Sequence, residues 1–168
     1  LDGVEAGSEI EILDSNPAIG ELCSIDVTAA YGESCERGIR YLAILRPDCL
    51  VVIDEYDCSK TTPAELRWHY AGDIEYADGV AADVAGTEDR DYLRFRLDTT
   101  NGIAECCVAG YGGTRLSYSE GVHEQIGHRN RAHVLLPDER HPYVVATSES
   151  ASRHRFLSCF LFSTDRAV

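Results

Sequence analysis

The chain has 168 residues, 29 of them Asp or Glu and 15 Lys or Arg, so its formal net charge is −14 at pH 7, while 44% of it is hydrophobic. A chain of this size buries about 70% of its unfolded surface, so a single core is expected, and no apolar run approaches the roughly 18 residues of a membrane-spanning helix, which is excluded. Lys60 is the only lysine and the remaining cations are arginines; because phosphate binding rests on clustered Lys and Arg, this acidic envelope argues against nucleic acid and against an anionic membrane surface as partners.

In chain order, Glu9–Leu13 and Leu22–Thr28 read as short strands. Ile39, Tyr41, Ala43 and Leu45 alternate with Arg40, Leu42 and Ile44, so the next segment is apolar on both faces and stops at the turn signal Arg46-Pro47-Asp48. The β-branched run from Cys49 to Tyr56 follows. Together they predict a β-hairpin in the middle of a sheet covered on both sides. Asp54 ends the apolar run; a carboxylate there is expected to accept backbone or Arg hydrogen bonds rather than act as a base, because an unpaired buried charge is costly.

Ala64 to Tyr70 alternates Leu66, Trp68 and Tyr70 with Glu65, Arg67 and His69, the pattern of a half-buried antiparallel strand. Arg67, His69 and Glu65 thereby share one face, either lining a cleft or forming a solvated face with a cross-strand ion pair. Residues 71–90 are rich in Asp, Gly and Ala and are expected to form a hairpin with a loose acidic loop. Tyr92, Arg94 and Arg96 again share a face, opposite Leu93, Phe95 and Leu97. A guanidinium binds a sugar carboxylate bidentately and a tyrosine ring stacks on a pyranose, although pairing with neighbouring acids explains the same arginines. Strands are predicted at Ala104–Ala109, Leu116–Glu120, Arg131–Leu136, Tyr143–Glu149 and Arg155–Ser163, with Gly112-Gly113 as a turn. Many short strands at roughly ten-residue spacing predict an all-β fold, an antiparallel sandwich with little helix.

His123, His128 and His133 lie in one polar segment with Arg129 and Arg131, but their spacing fits no metal-binding template. The segment reads as a polar loop leading into a strand, and no metal or other cofactor is expected. The seven cysteines, at positions 23, 35, 49, 58, 106, 107 and 159, form an odd set without a C-x-x-C pair. Several sit in apolar runs, where a thiol packs as a small hydrophobe, so mostly reduced, structural thiols are expected in place of a zinc ribbon or a full disulfide framework. Cys106 and Cys107, adjacent in one strand, point to opposite faces and do not bridge.

The block from Arg37 to Glu55, followed by Leu66-Arg67-Trp68-His69, resembles the C-terminal β-sandwich domain of the heparinase II/III-like polysaccharide lyases, including the oligoalginate lyase branch. The carrying pattern is an Arg-led strand, an Arg-Pro turn, an apolar strand ending in Asp, and then a strand bearing an aromatic residue and His. The tail Arg155–Phe162 is similar to the closing strand of that family. The resemblance implies a supersandwich-like single domain over residues 1–168, part of a longer protein in which an α/α toroid precedes it and the cleft lies between the two. It further implies β-elimination, in which the C5 proton of a uronic acid is removed. The Tyr, Asn and His of that reaction would come largely from the toroid and the junction after it, upstream of Leu1. This chain is therefore expected to hold no catalytic residue, to be inactive alone, and to meet an acidic polysaccharide only through its parent protein.

Arg67, His69, Tyr92, Arg94 and Arg96 are the candidate substrate-binding residues on this reading. Two alternatives stand beside it: a noncatalytic carbohydrate-binding sandwich using exposed aromatics such as Tyr92 or Trp68, and a structural or homo-oligomerising module with an apolar docking face.

Overall fold

The computed structural model describes residues 10–70, 73–76, 92–99, 102–124 and 140–164. Their elements are β1 (Ile10–Asn16), β2 (Gly20–Asp26), a 3-10 turn (Thr28–Ser34), β3 (Cys35–Leu45), β4 (Cys49–Thr62), β5 (Glu65–His69), β6 (Asp73–Tyr76), β7 (Tyr92–Thr99), β8 (Gly102–Gly110), β9 (Leu116–Glu124), β10 (Arg140–Ser148) and β11 (Ala151–Ser163). The predicted strand Arg131–Leu136 lies outside the described residues, as does most of the acidic stretch 71–90, of which β6 is described.

The strands form an eight-stranded sheet in the order β1-β2-β3-β4-β11-β8-β7-β6 and a three-stranded sheet in the order β5-β10-β9. Every pairing is antiparallel. The Arg46-Pro47-Asp48 turn joins β3 to β4, with Leu45 opposite Cys49, as expected. The C-terminal strand β11 then inserts between β4 and β8. At the N-terminal edge, the register of β1 on β2 shifts between Ile12 and Asp14, a bulge. Gly20 opens β2 at φ 152°, and a Cβ on it would overlap the Ile44 carbonyl, so this close approach to β3 requires glycine.

Period-two alternation decides which side chains meet between the sheets. The large sheet sends in Val52, Tyr56, Leu93, Phe95, Ala104, Cys106, Val108, Phe156 and Phe160, and the small sheet answers with Leu66, Leu116, Tyr118, Val144 and Ala146. Val108 and Phe156 are fully buried. Each such side chain contributes about 1.5–3 kcal/mol by leaving water. Polar bonds tie the layers as well: the Tyr118 hydroxyl donates to the Val108 carbonyl at 3.0 Å, and the Trp68 indole N–H donates to Ser158 Oγ at 3.1 Å.

Among the described residues the central hairpin is covered on its inner face only. The described residues place no second layer on the opposite face of the large sheet, where Val51, Ile53, Leu157 and Cys159 are half-buried and Leu161 is exposed. Its apolar residues on both faces were expected to be packed on both.

Candidate functional site

Counting outward from Leu45 and Cys49, the hairpin register brings Arg40 opposite Asp54 and Gly38 opposite Tyr56, all toward the small sheet. Arg40 Nε donates to Asp54 Oδ1 at 2.7 Å, and the Tyr56 hydroxyl donates to the same oxygen at 3.0 Å. Tyr56 has thereby spent its proton, so the Tyr31 hydroxyl, 3.1 Å away, donates to Tyr56. Tyr31 comes from the 3-10 turn before β3, and its ring meets Tyr56 edge-on with centroids 5.0 Å apart. Asp54 is wholly buried, and its second oxygen, Oδ2, has no hydrogen-bond partner among the described residues.

Trp68 on β5 roofs this group, with the Arg40 guanidinium 5.9 Å from the centre of its ring. β5 is an edge strand of the small sheet, so the large sheet continues past it, uncovered by described residues, onto β2 and β1. There the inner face carries Ile10 and Ile12, 65% and 73% exposed. The result is a ledge with an apolar floor. At its inner corner stand Arg40, with 31% of its side chain still exposed, and the exposed ring of Tyr31.

The electrostatics assign roles. Burial alone would lower the Arg40 pKa, but the bond to Asp54 more than offsets it and the guanidinium stays charged. Burial, and then the Asp54 charge, push the Tyr56 hydroxyl far above the ordinary phenol range, so it is a neutral donor and no proton acceptor. The ledge thus brings together one positioned cation, aromatic rings and an apolar floor.

A second buried polar group lies between the sheets. Ser148 Oγ accepts from the Ala64 N–H at 3.0 Å and stands 2.7 Å from His154 Nδ1. His154 is completely buried, and its Nε2 is without a hydrogen-bond partner among the described residues. Burial lowers its pKa, which keeps the imidazole neutral.

The sequence-predicted residues fall on two opposite outer faces. Arg67 and His69 project from the small sheet around Tyr143, with the Arg67 guanidinium 5.5 Å from that ring and the His69 ring 5.1 Å from it. Arg67 is also held by Glu65 two residues away on the same strand, its Nε donating to Oε2 at 3.0 Å. Tyr92, Arg94 and Arg96 form a row on the outer face of the large sheet, with Arg96 in register between Glu75 and Glu105. The sandwich separates the two groups, so they cannot hold one sugar ring together. Tyr92 is 50% exposed, as a stacking platform requires, whereas Trp68 is partly buried, its ring packed edge-on against Phe160.

Among the described residues, Arg37 and Arg155 are already paired with acids. On the outer face of the large sheet, Arg155 binds Asp57 at 2.9 Å and Glu55 at 3.6 Å, while Arg37 reaches Glu55 at 3.3 Å. The Tyr111 hydroxyl donates to Glu55 at 2.8 Å. His123 of β9 pairs through the backbone with His141 of β10, and residues 125–139, the rest of the histidine-rich segment, lie outside the described residues. Among the described residues no group of three or more His, Cys, Asp or Glu is placed to hold a metal ion.

No protein-family model and no curated protein matches the sequence. The fold does have counterparts among solved structures. Heparan sulfate lyase HepC from Pedobacter heparinus superposes with a TM-score of 0.60 at 11% identity, over 95% of this chain and 22% of that one. A heparinase III structure gives a TM-score of 0.59 at 12% identity, over 92% of this chain and 21% of that one. The chain thus has the fold of one part of these proteins and spans about a fifth of their length.

Proposed function

We propose that this chain is the C-terminal β-sandwich domain of a heparinase II/III-like polysaccharide lyase, that it walls a cleft in which a uronic-acid polysaccharide undergoes β-elimination, and that it is inactive alone. One observation carries this reading: nearly the whole chain superposes on a minor part of a polysaccharide-cleaving lyase. β-Elimination needs a base for the C5 proton, an acid for the leaving oxygen and a positive group to hold the carboxylate as charge develops at C5. The Arg40 ledge supplies the third requirement alone. Its guanidinium faces an open corner while Asp54 fixes its Nε, and Tyr56 is held as a neutral donor. The base and the acid belong to the rest of the parent protein.

The test pairs two measurements on the purified chain: the ultraviolet absorbance of the unsaturated product on uronic-acid polysaccharides, and binding of a uronic-acid oligosaccharide followed by heteronuclear NMR. No turnover is expected, together with weak binding that perturbs Arg40 and Tyr31 and disappears in Arg40→Lys. Robust turnover would overturn the inactivity. Perturbations confined to Arg67 and His69, or to Tyr92, Arg94 and Arg96, would move the substrate-facing surface to that outer face. Binding of neutral sugars as strong as that of uronates would favour a noncatalytic carbohydrate-binding module.

A further inference from the structure

On the outer face of the large sheet three thiols stand on three successive strands: Cys49 on β4, Cys159 on β11 and Cys107 on β8. Cys159 is the direct cross-strand partner of Cys107, and Cys49 sits diagonally from it, opposite Leu161. The side chains choose the diagonal: Cys49 Sγ and Cys159 Sγ are 3.9 Å apart, in sulfur contact. Both thiols are half-buried and within reach of a small reagent, and Leu161 beside them is 50% exposed. A disulfide needs its sulfurs about 2.0 Å apart, so the two side chains must close in from contact as the bond forms.

We propose that Cys49 and Cys159 form a cross-strand disulfide site that a low-molecular-weight disulfide oxidises by thiol–disulfide exchange. The thiolate of one cysteine attacks the small disulfide, forming a mixed disulfide and releasing one small thiol. The second cysteine then attacks the protein sulfur of that mixed disulfide and releases the other small thiol. Two protein thiols are oxidised to one S–S bond, one small disulfide is reduced to two thiols, and the two protons leave on those products.

The remaining thiols are placed less well. Cys106 turns to the inner face, where burial raises its pKa to about 12 and keeps it an unreactive thiol. Cys35 and Cys58 face each other across β3 and β4 beside a register shift, with Cys35 buried. Burial and the neighbouring Cys159 also raise the Cys49 pKa, so the first attack is slow, while the contact distance makes ring closure fast once a mixed disulfide exists. The bond would clamp β4 to β11, joining strands far apart in the chain at the centre of the sheet.

The experiment incubates the folded chain in a buffer of oxidised and reduced glutathione, alkylates the remaining thiols in denaturant, and maps the digest by mass spectrometry without reduction. A Cys49–Cys159 peptide is expected, with all but two of the seven cysteines alkylated, together with a rise in melting temperature of about 5–10 °C that is absent from Cys49→Ser and retained in Cys23→Ser. Full alkylation of all seven, a persistent glutathione adduct at Cys49 or Cys159, or a dominant bridge from Cys107 or between Cys35 and Cys58 would overturn the assignment.

Discussion

Arg40 and Asp54 face each other across the central hairpin with 2.7 Å between Nε and Oδ1, and the carboxylate is wholly buried while the guanidinium keeps an open side. A pair buried on one side only is costliest to break from the exposed end, since Asp54 without Arg40 is left wholly buried and uncompensated, whereas Arg40 without Asp54 keeps its open side to water.

Arg40→Met should therefore destabilise the chain by about 3–5 kcal/mol, and Arg40→Met with Asp54→Ala should recover most of that loss. Urea unfolding of the single and double variants checks it through the shift in midpoint at constant slope. A double variant as unstable as the single would mean that Tyr56 and packing, and not the ion pair, dominate this corner.

Ser148→Ala removes one partner from each of two groups, the part-buried Ala64 N–H and the buried His154 Nδ1. The expected cost is about 1–3 kcal/mol, the range for orphaned buried polar atoms. Calorimetric melting of this variant beside Ser117→Ala, on an exposed hydroxyl, separates the buried contribution from a generic serine effect.

His154 makes stability depend on pH in a predictable direction. Burial places its folded-state pKa below the ordinary 6.5, so as pH falls through about 6.5 the unfolded chain takes up a proton that the folded chain refuses. The contribution is complete above that value and is lost progressively below it, down to the folded pKa. Unfolding free energies between about pH 7 and pH 5 should slope downward in the native chain and flatten in His154→Phe.

Asp57 acts further down the scale. The hydrogen bond from Arg155 holds its carboxyl below the ordinary 3.8, so the stability it confers is present above that value and is lost as pH falls through the folded pKa. Arg155→Gln should shrink this acid limb and, because the Arg155 charge also helps to lower the His154 pKa, make the His154 limb shallower without reversing it. An unchanged acid transition in that variant would show that Arg37 and Arg153 suffice to hold the cluster.

Salt should stabilise the chain. With 29 acidic residues against 15 basic ones, shortening the screening length from roughly 10 Å at 0.1 M to about 3 Å at 1 M relieves more repulsion than it weakens attraction. Exposed ion pairs are worth only about 0–1 kcal/mol each. A melting temperature that falls steadily across a sodium chloride series would show that the Arg37, Arg153 and Arg155 pairs outweigh the net charge.

The strands were legible because their residues alternate. Ile39–Leu45, the Arg-Pro-Asp turn and Cys49–Tyr56 fix a hairpin, and simple counting from that turn sets Arg40 against Asp54. Two polar residues facing each other in otherwise apolar strands were the available signal for the ledge. Its other members carried no such mark: Tyr31 sits in a 3-10 turn without strand periodicity, and Trp68 meets Arg40 only because β5 joins a second sheet. Pairing across sheets is a long-range fact that local periodicity does not encode. The same limit explains why Arg67 and Arg94, alike in pattern, belong to opposite sides of the molecule.

The bulge between Ile12 and Asp14 has a bearing on solubility. β1 is an outer strand of the large sheet, and its exposed isoleucines would make a straight edge a template for further strands, copy after copy. An interrupted register denies an incoming strand a continuous ladder of amides, and Glu11 and Asp14 set charge beside the gap. An edge interrupted in this way is expected to resist strand-by-strand growth, and deletion of Leu13, which would straighten it, is the change that should turn a clear solution turbid.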